Sequence, residues 1–349
     1  MIPILDHIFG KFSEDLGIDL GTANTLVAVR GKGIVIREPS IIIRHRKTKN
    51  VIAIGSEAKK MLGKTPFTIE AVRPLRDGVI ADFDTTLAML SYFVRKIHAR
   101  PGRSFSIPRP KVVIGIPSNI SEVERRAVLD AARASGARMT FLVEEPMAAA
   151  IGADLPVTEP LGSMIVDIGG GTCEIAIISL GGVVVGKSLK IAGDAMDGDI
   201  AAYIRSRYSL AIGERTAEQI KIALGSAYPQ KVEKEMVVRG RDLEKGLPRT
   251  IRVSSVAVRE ALASSVSAIV NAIRDVIEDA PPELSSDIAE RGIVMCGGGS
   301  MLSGFSKLVS KETKMPVILA ADPLSCVVIG ATRILDSSDL LNKVKIASG

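Results

Sequence analysis

Apolar residues recur along this chain at two spacings, and the spacing switches many times. Between Leu16 and Arg30, residues Ile18 and Leu20, then Leu26, Val27 and Val29, predict two strands about a Gly-Thr-Ala-Asn turn. Further short strands are expected at 34–36, 41–43 and 51–54, with a short helix at 56–61. From Thr85 to His98 the spacing becomes helical, with Leu87, Leu90, Phe93, Val94 and Ile97 on one face. A Pro/Arg-rich loop is expected at 100–110, then an unbroken apolar strand at 111–116. Ser121-Glu122-Val123-Glu124 reads as a capping box that starts a helix, and Gly136 ends it.

The second half repeats this plan. Strands are expected at 164–168, 174–179 and 183–187, then a polar block at 190–252 holding one helix around 212–224. A long helix at 256–278 stops before Pro281-Pro282. A strand at 292–296 runs into Gly297-Gly298-Gly299, followed by a helix at 301–311, a strand at 317–320 and a last helix at 327–335. The duplication is visible in the residues: Asp19-Leu20-Gly21-Thr22-Ala23-Asn24-Thr25 is answered by Asp167-Ile168-Gly169-Gly170-Gly171-Thr172-Cys173. Two α/β halves, each a mixed sheet flanked by helices, can close around one cleft. The 349 residues suffice for two such halves with cores of their own.

Composition narrows the class. With 46% hydrophobic and 24% charged residues the chain is globular. Aromatics are 3% and Trp is absent, so Val, Ile, Leu, Ala and Met must build the cores. A net charge of +6 suits an anionic membrane surface or a nucleic acid. The cations are dispersed, however, and their one cluster, His45-Arg46-Lys47-Thr48-Lys49, reads as a turn between strands. So few aromatics leave little for base stacking, and no nucleic-acid partner is expected. The three cysteines lack CxxC spacing, which argues against a zinc site or disulfide framework and fits a cytoplasmic setting. No run of about 18 apolar residues suggests a membrane span, and no signal peptide is expected. Met1 to Phe12, with Ile4, Leu5, Ile8 and Phe9 at near-helical spacing, is open to two readings: a helix packed on the body, or an anchor in a membrane interface.

The chemistry lies in the paired turns. A strand ending in Asp carries a carboxylate to a sheet edge, and the small residues after it let backbone N–H groups approach a phosphate. Asp19 and Asp167 are candidate Mg2+ ligands through the ion's water shell, because Mg2+ dehydrates reluctantly. One such turn alone is a common structural device; two at matching places are specific. In Glu144-Glu145-Pro146-Met147-Ala148-Ala149-Ala150-Ile151-Gly152, Pro146 suits a first helical turn. Glu145 either orients a water for phosphoryl transfer or, like Glu144, merely caps the helix. Val294 to Leu302 offers a further glycine turn at Gly297, Gly298, Gly299 and Ser300. Neither a dinucleotide-binding Gly-x-Gly-x-x-Gly unit nor a Walker motif is present. Cys173 and Cys296, beside glycine turns, read as packing residues, and His7, His45 and His98 are scattered.

Taken in order, these elements resemble the actin, heat-shock chaperone and sugar kinase superfamily. Segments 18–25, 70–82, 145–152, 212–222, 238–247 and 322–330 are similar in particular to the bacterial MreB family, over nearly the whole chain. The resemblance implies an actin-like fold of four subdomains. Residues 1–149 would form the first lobe, with a subdomain near 37–74. Residues 150–324 would form the second, with a subdomain near 189–255, and 325–349 would return to the first lobe. It implies that Gly21, Thr22, Ala23 and Asn24 bind ATP phosphates from one side, and Gly169, Gly170, Gly171 and Thr172 from the other. Glu145 and Thr172 would position the hydrolytic water. Asp197, Glu218, Gln219, Ile220 and Lys221 would meet ribose and adenine, with Gly297 to Ser300 completing the base site. It further implies ATP-driven paired antiparallel filaments on the inner face of the cell membrane, and membrane partners in cell-wall elongation. Phe105 and Ile107, among Arg100, Arg103 and Arg109, would touch lipid together with the N-terminal stretch. Cys173 stands where Thr is more usual, and Leu302 where actin has an aromatic, which bears on ATP against GTP. A small-molecule kinase, a chaperone ATPase and a plasmid-segregating filament are the alternatives.

Overall fold

The computed structural model describes residues 13–99 and 109–346. Strands β1 (Leu16–Leu20), β2 (Asn24–Val29) and β3 (Gly33–Pro39) form an antiparallel meander, with Leu20 opposite Thr25 across the first turn. The chain then builds a small sheet from β4 (Ile42–His45), β5 (Val51–Ile54) and β6 (Ile69–Val72), ordered β5-β4-β6, with helix α1 (Ser56–Met61) after β5. The cationic stretch at 45–49 is the β4–β5 turn that the sequence indicated. A short hairpin, β7 (Leu75–Arg76) and β8 (Val79–Ile80), leads to α2 (Phe83–His98), capped by the Asp82 carboxylate, which accepts from the Thr85 N–H.

Helix α2 buries Met89, Leu90, Phe93 and Val94, so its apolar face is centred beside Met89 while Leu87 is only partly covered. Next come β9 (Lys111–Ile116) and α3 (Glu122–Ala134), whose capping box of Ser121 and Glu124 is formed on both sides. The strand β10 (Met139–Glu144), which apolar spacing did not predict, runs directly into α4 (Glu145–Gly152). With β9 parallel to β1 and β10 parallel to β9, the first sheet is mixed, ordered β10-β9-β1-β2-β3.

The second sheet begins with β11 (Ser163–Ile168), β12 (Cys173–Ser179) and β13 (Gly182–Leu189). The polar block that follows holds more structure than one helix. It contains α5 (Gly193–Tyr208), β14 (Leu210–Ala211), α6 (Glu214–Leu224), β15 (Glu235–Asp242) and β16 (Pro248–Ser254), the last three strands forming a sheet. Helix α7 (Ser255–Glu278) is long and apolar enough to cross a membrane, the one such helix among the described residues. Its Leu262, Ile269 and Ile273 are fully buried in the core with Ile177, Ile200 and Met295, which makes it a core helix. After α8 (Pro282–Arg291) come β17 (Ile293–Cys296), a 3-10 turn at Gly298–Met301, α9 (Phe305–Thr313) and β18 (Val317–Leu319). The helix expected at 301–311 thus starts later, because Gly304 sits at φ +74° and breaks the turn. Helices α10 (Cys326–Asp336) and α11 (Ser338–Val344) close the chain.

The second sheet is ordered β13-β12-β11-β17-β18, with β17 parallel to β11 and β18 to β17. Read from opposite ends, the two five-stranded orders follow one plan. The chain divides into two units, Met1–Leu161 with Ile178–Val183 and Leu324–Gly349, and Gly162–Ile177 with Val184–Pro323. In the first unit α4 and α10 cross without side chains between them. A Cβ on Gly152 would strike the Cys326 carbonyl, and one on Gly330 the Ala148 carbonyl.

Candidate nucleotide-binding residues

In the first unit the candidates collect at the carboxyl ends of parallel strands, the edge where open α/β sheets bind ligands. Asp19 on β1 is level with Gly115 on β9, which is level with Val143 on β10. Two residues further along β10 the chain becomes α4, so Glu145 opens that helix and is buried at 8% exposure. Its Cγ lies 3.3 Å from where a Gly115 Cβ would stand, and Val327 fills the other side of that space. Glu144 occupies the N-cap position but makes no side-chain capping bond; it accepts from the Ser118 hydroxyl at 3.1 Å.

The β1–β2 turn is braced by a residue well outside the motif. The Ser40 N–H donates to the Ala23 carbonyl at 3.0 Å, and its hydroxyl donates to the Gly21 carbonyl at 2.6 Å. That hydroxyl also shares a hydrogen bond of 2.8 Å with the Thr25 hydroxyl. Thr22 accepts the Gly78 N–H at 3.0 Å. A Cβ on Gly21 would sit 2.6 Å from the Asn24 carbonyl oxygen, so only glycine closes this turn. Asn24 is left exposed, with Gly21 and Ala23 partly so.

In the second unit Asp167 on β11 is level with Cys296 on β17. Burial pushes its carboxyl up to about 7; the negative charge of buried Glu174 adds to this, and a hydrogen bond from the Cys296 thiol opposes it. Gly297, at φ +78°, packs on this strand end so tightly that a Cβ there would strike both the Asp167 carboxylate and the Ile168 carbonyl. The glycine turn at 297–300 and the Asp167 turn are therefore one assembly. Within it the Ser300 hydroxyl donates to the Gly297 carbonyl at 2.6 Å. The Cys173 thiol is buried, and burial, then Asp167 and Glu174, push its pKa up, which keeps it an inert packing group.

The Asp167 turn is closed by the Gly169 N–H donating to the Thr172 carbonyl at 2.9 Å. Helix α5 holds it from the far side: the Gly193 N–H donates to the Gly169 carbonyl at 3.1 Å, and the Asp194 N–H to the Gly170 carbonyl at 2.8 Å. Lys221 on α6 reaches the same place, donating to the Gly193 carbonyl at 2.6 Å and pairing with Asp197 at 2.9 Å. Burial raises the Asp197 carboxyl to about 6 against the pull of Lys221. Asp197, Lys221 and the residues 169–172 are thereby gathered. Glu218 is partly exposed and Gln219 exposed on the same helix, whereas the Ile220 side chain is fully buried in the core. Gly171 and Thr172 are buried, and Gly298 is exposed. Of the other candidates, Ile4, Leu5, Ile8, Phe9, Phe105 and Ile107 lie outside the described residues.

Sequence reasoning did not find Ser40, Gly78, Glu174 or Gly193. Ser40, Gly78 and Gly193 each act on a partner distant in sequence, whereas Glu174 directly follows the second motif and is marked only by its burial beside Asp167.

The family model for MreB/Mbl protein matches residues 13–343. Cell shape-determining protein MreB of Escherichia coli strain K12 is 50% identical over 97% of this chain and 97% of its own length. Cell shape-determining protein Mbl of Bacillus subtilis strain 168 is 48% identical over 96% of this chain and 100% of its own. Among solved structures, MreB5 of Spiroplasma citri bound to ADP superposes with a TM-score of 0.88 at 38% identity, covering 95% of this chain and 98% of that one. The duplicated sheets are thus those of an actin-like fold, and the chain belongs to the MreB/Mbl family.

Proposed function

We propose that the residues of both turns bind one ATP with Mg2+, that the chain hydrolyses it, and that nucleotide state governs assembly into filaments. The observation that carries this reading is the repeated strand–Asp–glycine turn at the carboxyl ends of two sheets of the same plan. Thr22, Ala23 and Asn24 serve the phosphates from one turn, and Gly170, Gly171 and Thr172 from the other. Asp197, Glu218, Gln219 and Lys221 serve the ribose and base, with the backbone of Ile220, and Gly297 to Ser300 close the base site. The S. citri MreB5 structure bound to ADP supports nucleotide as the ligand.

The residues fit a divalent cation. Asp167 is a buried carboxylate facing a second buried acid, and a nearby cation removes the penalty on its charge. Among the described residues no three His, Cys, Asp or Glu side chains gather to ligate an ion directly. Asp19 and Asp167 would therefore hold Mg2+ through its water shell. When bound, the ion neutralises phosphate charge. Glu145, with Thr172, orients the water that attacks the terminal phosphate, and its burial beside Gly115 restricts its side chain. Glu145→Ala is expected to cut phosphate release at least about a hundredfold with nucleotide affinity preserved. Unchanged hydrolysis would remove Glu145 from the mechanism.

The wider reading is a cytoplasmic cytoskeletal protein, peripheral on the inner membrane. It forms paired antiparallel filaments that direct cell-wall synthesis and rod shape with elongation membrane proteins. Two lobes, 1–149 and 150–324, would close on ATP and favour subunit contacts. Membrane contact through Ile4, Leu5, Ile8, Phe9, Phe105 and Ile107 is tested by deleting residues 1–12 and replacing Phe105 with Ser. Liposome sedimentation unchanged in the combined variant would refute it.

A further inference from the structure

The residues assigned to ribose and base stand on two walls of the second unit, helix α6 and the glycine turn at 297–300, and the walls touch at one joint. Gly225 caps the C-terminus of α6, and its N–H donates to the Lys221 carbonyl at 2.8 Å. A Cβ on Gly225 would lie 2.7 Å from Leu302 Cδ1, and the Leu302 N–H donates to the Gly299 carbonyl at 3.2 Å. One residue on, Ser226 pairs with Ser303 in a parallel bridge, and the Ala227 N–H donates to the Ser303 carbonyl at 2.8 Å. Lys221 lies one helical turn before this joint and moves with it. The distance from Lys221 to the Gly299 turn is therefore set where Gly225 meets Leu302.

A polar clasp holds the joint. Ser226 is fully buried, and its hydroxyl accepts from the Arg259 guanidinium of α7 at 3.0 Å. The other arm of Arg259 donates to the Glu233 carboxylate at 2.8 Å. Glu233 also accepts from the Ser255 hydroxyl, which in turn accepts the Lys234 N–H at 2.9 Å. Arg259 thus ties both ends of the α6–β15 connection, Ser226 and Glu233, to the start of α7. Between those ends Tyr228 packs on Gly304, where a Cβ would lie 2.7 Å from the tyrosine Cβ, and the Lys307 ammonium stands 4.5 Å from the Tyr228 ring. Core packing of Ala217, Ile220 and Leu224 fixes the inner face of α6, while the clasp fixes its C-terminal end. A planar guanidinium bonding two partners at once holds geometry better than a single neutral pair.

We propose that Arg259 is a positioning residue for nucleotide binding. Acting through Ser226 and Gly225, it sets the gap between α6 and the 297–300 turn into which ribose and base fit. The inference rests on the reading that these two walls form the ribose and base site. It concerns the nucleoside and not the phosphates. The phosphate turn at 169–172 is held by backbone bonds from Gly193 and Asp194, which do not pass through the clasp. A gap held open before the ligand arrives spares the ordering cost on binding.

The test compares ATP with inorganic tripolyphosphate, each with Mg2+, by calorimetric titration. Arg259→Gln is expected to weaken ATP about tenfold and to leave tripolyphosphate unchanged. Ser226→Ala removes one bond and no charge, and is expected to weaken ATP about threefold with the same selectivity. It decides the matter should Arg259→Gln fold poorly. Arg249→Gln breaks a comparable contact, with Asp242 in the neighbouring small sheet, and is expected to change neither ligand. Equal loss of both ligands overturns the inference, because Arg259 would then only stabilise the unit. Unchanged ATP affinity in both clasp variants overturns it as well. Tripolyphosphate bound by the wild type as tightly as ATP overturns the ribose and base site itself.

Discussion

The two Asp–glycine turns share a sequence plan but are stabilised differently. The first is braced by Ser40, through both its N–H and its hydroxyl, and by the Thr22 side chain. The Ser40 hydroxyl holds the Gly21 carbonyl and Thr25, and Thr22 accepts from Gly78, while Asp19 remains partly exposed. The second is braced by backbone, from Gly193 and Asp194 on one side and tightly packed Gly297 on the other. Its Asp167 is buried beside Glu174, and its carboxyl rises to about 7. A motif repeated in sequence therefore need not carry repeated electrostatics: the second turn stores an unfavourable charge that the first does not.

The comparison is broken most severely at Gly297. Replacement by Ala forces a side chain into a left-handed backbone at φ +78° and against Asp167. A loss of about 2–4 kcal/mol in unfolding free energy is expected, with nucleotide binding lost as well, read by denaturant melts and calorimetry. Gly169→Ala should be milder, since its Cβ would lie 3.3 Å from the Thr172 carbonyl oxygen.

The next effect concerns Asp167 itself. Its folded pKa, about 7, is raised above the 3.8 of an ordinary aspartate. The folded state therefore binds more protons between these values. The nucleotide-free protein should lose stability as pH rises through that window, and level off above it. Asp167→Asn should flatten this slope by about 1 kcal/mol or more, measured as unfolding free energy from pH 4.5 to 8. A slope identical to wild type would show that Asp167 ionises normally. The smallest effect is at the first turn. Ser40→Ala should cost about 1–2 kcal/mol by removing the support of the Gly21 carbonyl, and should weaken nucleotide binding without changing the pH slope.

The same contrast explains what the sequence could disclose. Strand–turn–strand units and the Ser121 capping box are local, so spacing and residue type revealed them, in places to the residue. Helix α5 escaped because only Met196, Ile200 and Ile204 bury large apolar side chains among glycines and charges. The β15–β16 hairpin escaped because Val238 and Val253 are the apolar residues it fully buries. Strand β10 and helix α8 carry similarly short apolar signals. At the site, the aspartates and glycines were legible as motifs. Ser40 was not, because its partners Gly21 and Ala23 are brought to it only by folding; Glu174, next to the second motif, was not because only its burial sets its charge against Asp167. The packing of Gly297 onto Asp167 joins two motifs far apart in the chain, and no spacing rule links them.

The central claim is that Asp19 and Asp167 serve the same Mg2+-bound nucleotide, and a double-mutant cycle on ATP affinity tests it most directly. Asp19→Asn, Asp167→Asn and the double variant would be titrated with ATP in Mg2+ and again in EDTA. If one ion is shared, each single change weakens binding only with Mg2+, and the double change costs clearly less than the two losses combined. Additive losses, or losses that persist in EDTA, would mean that the two carboxylates act separately.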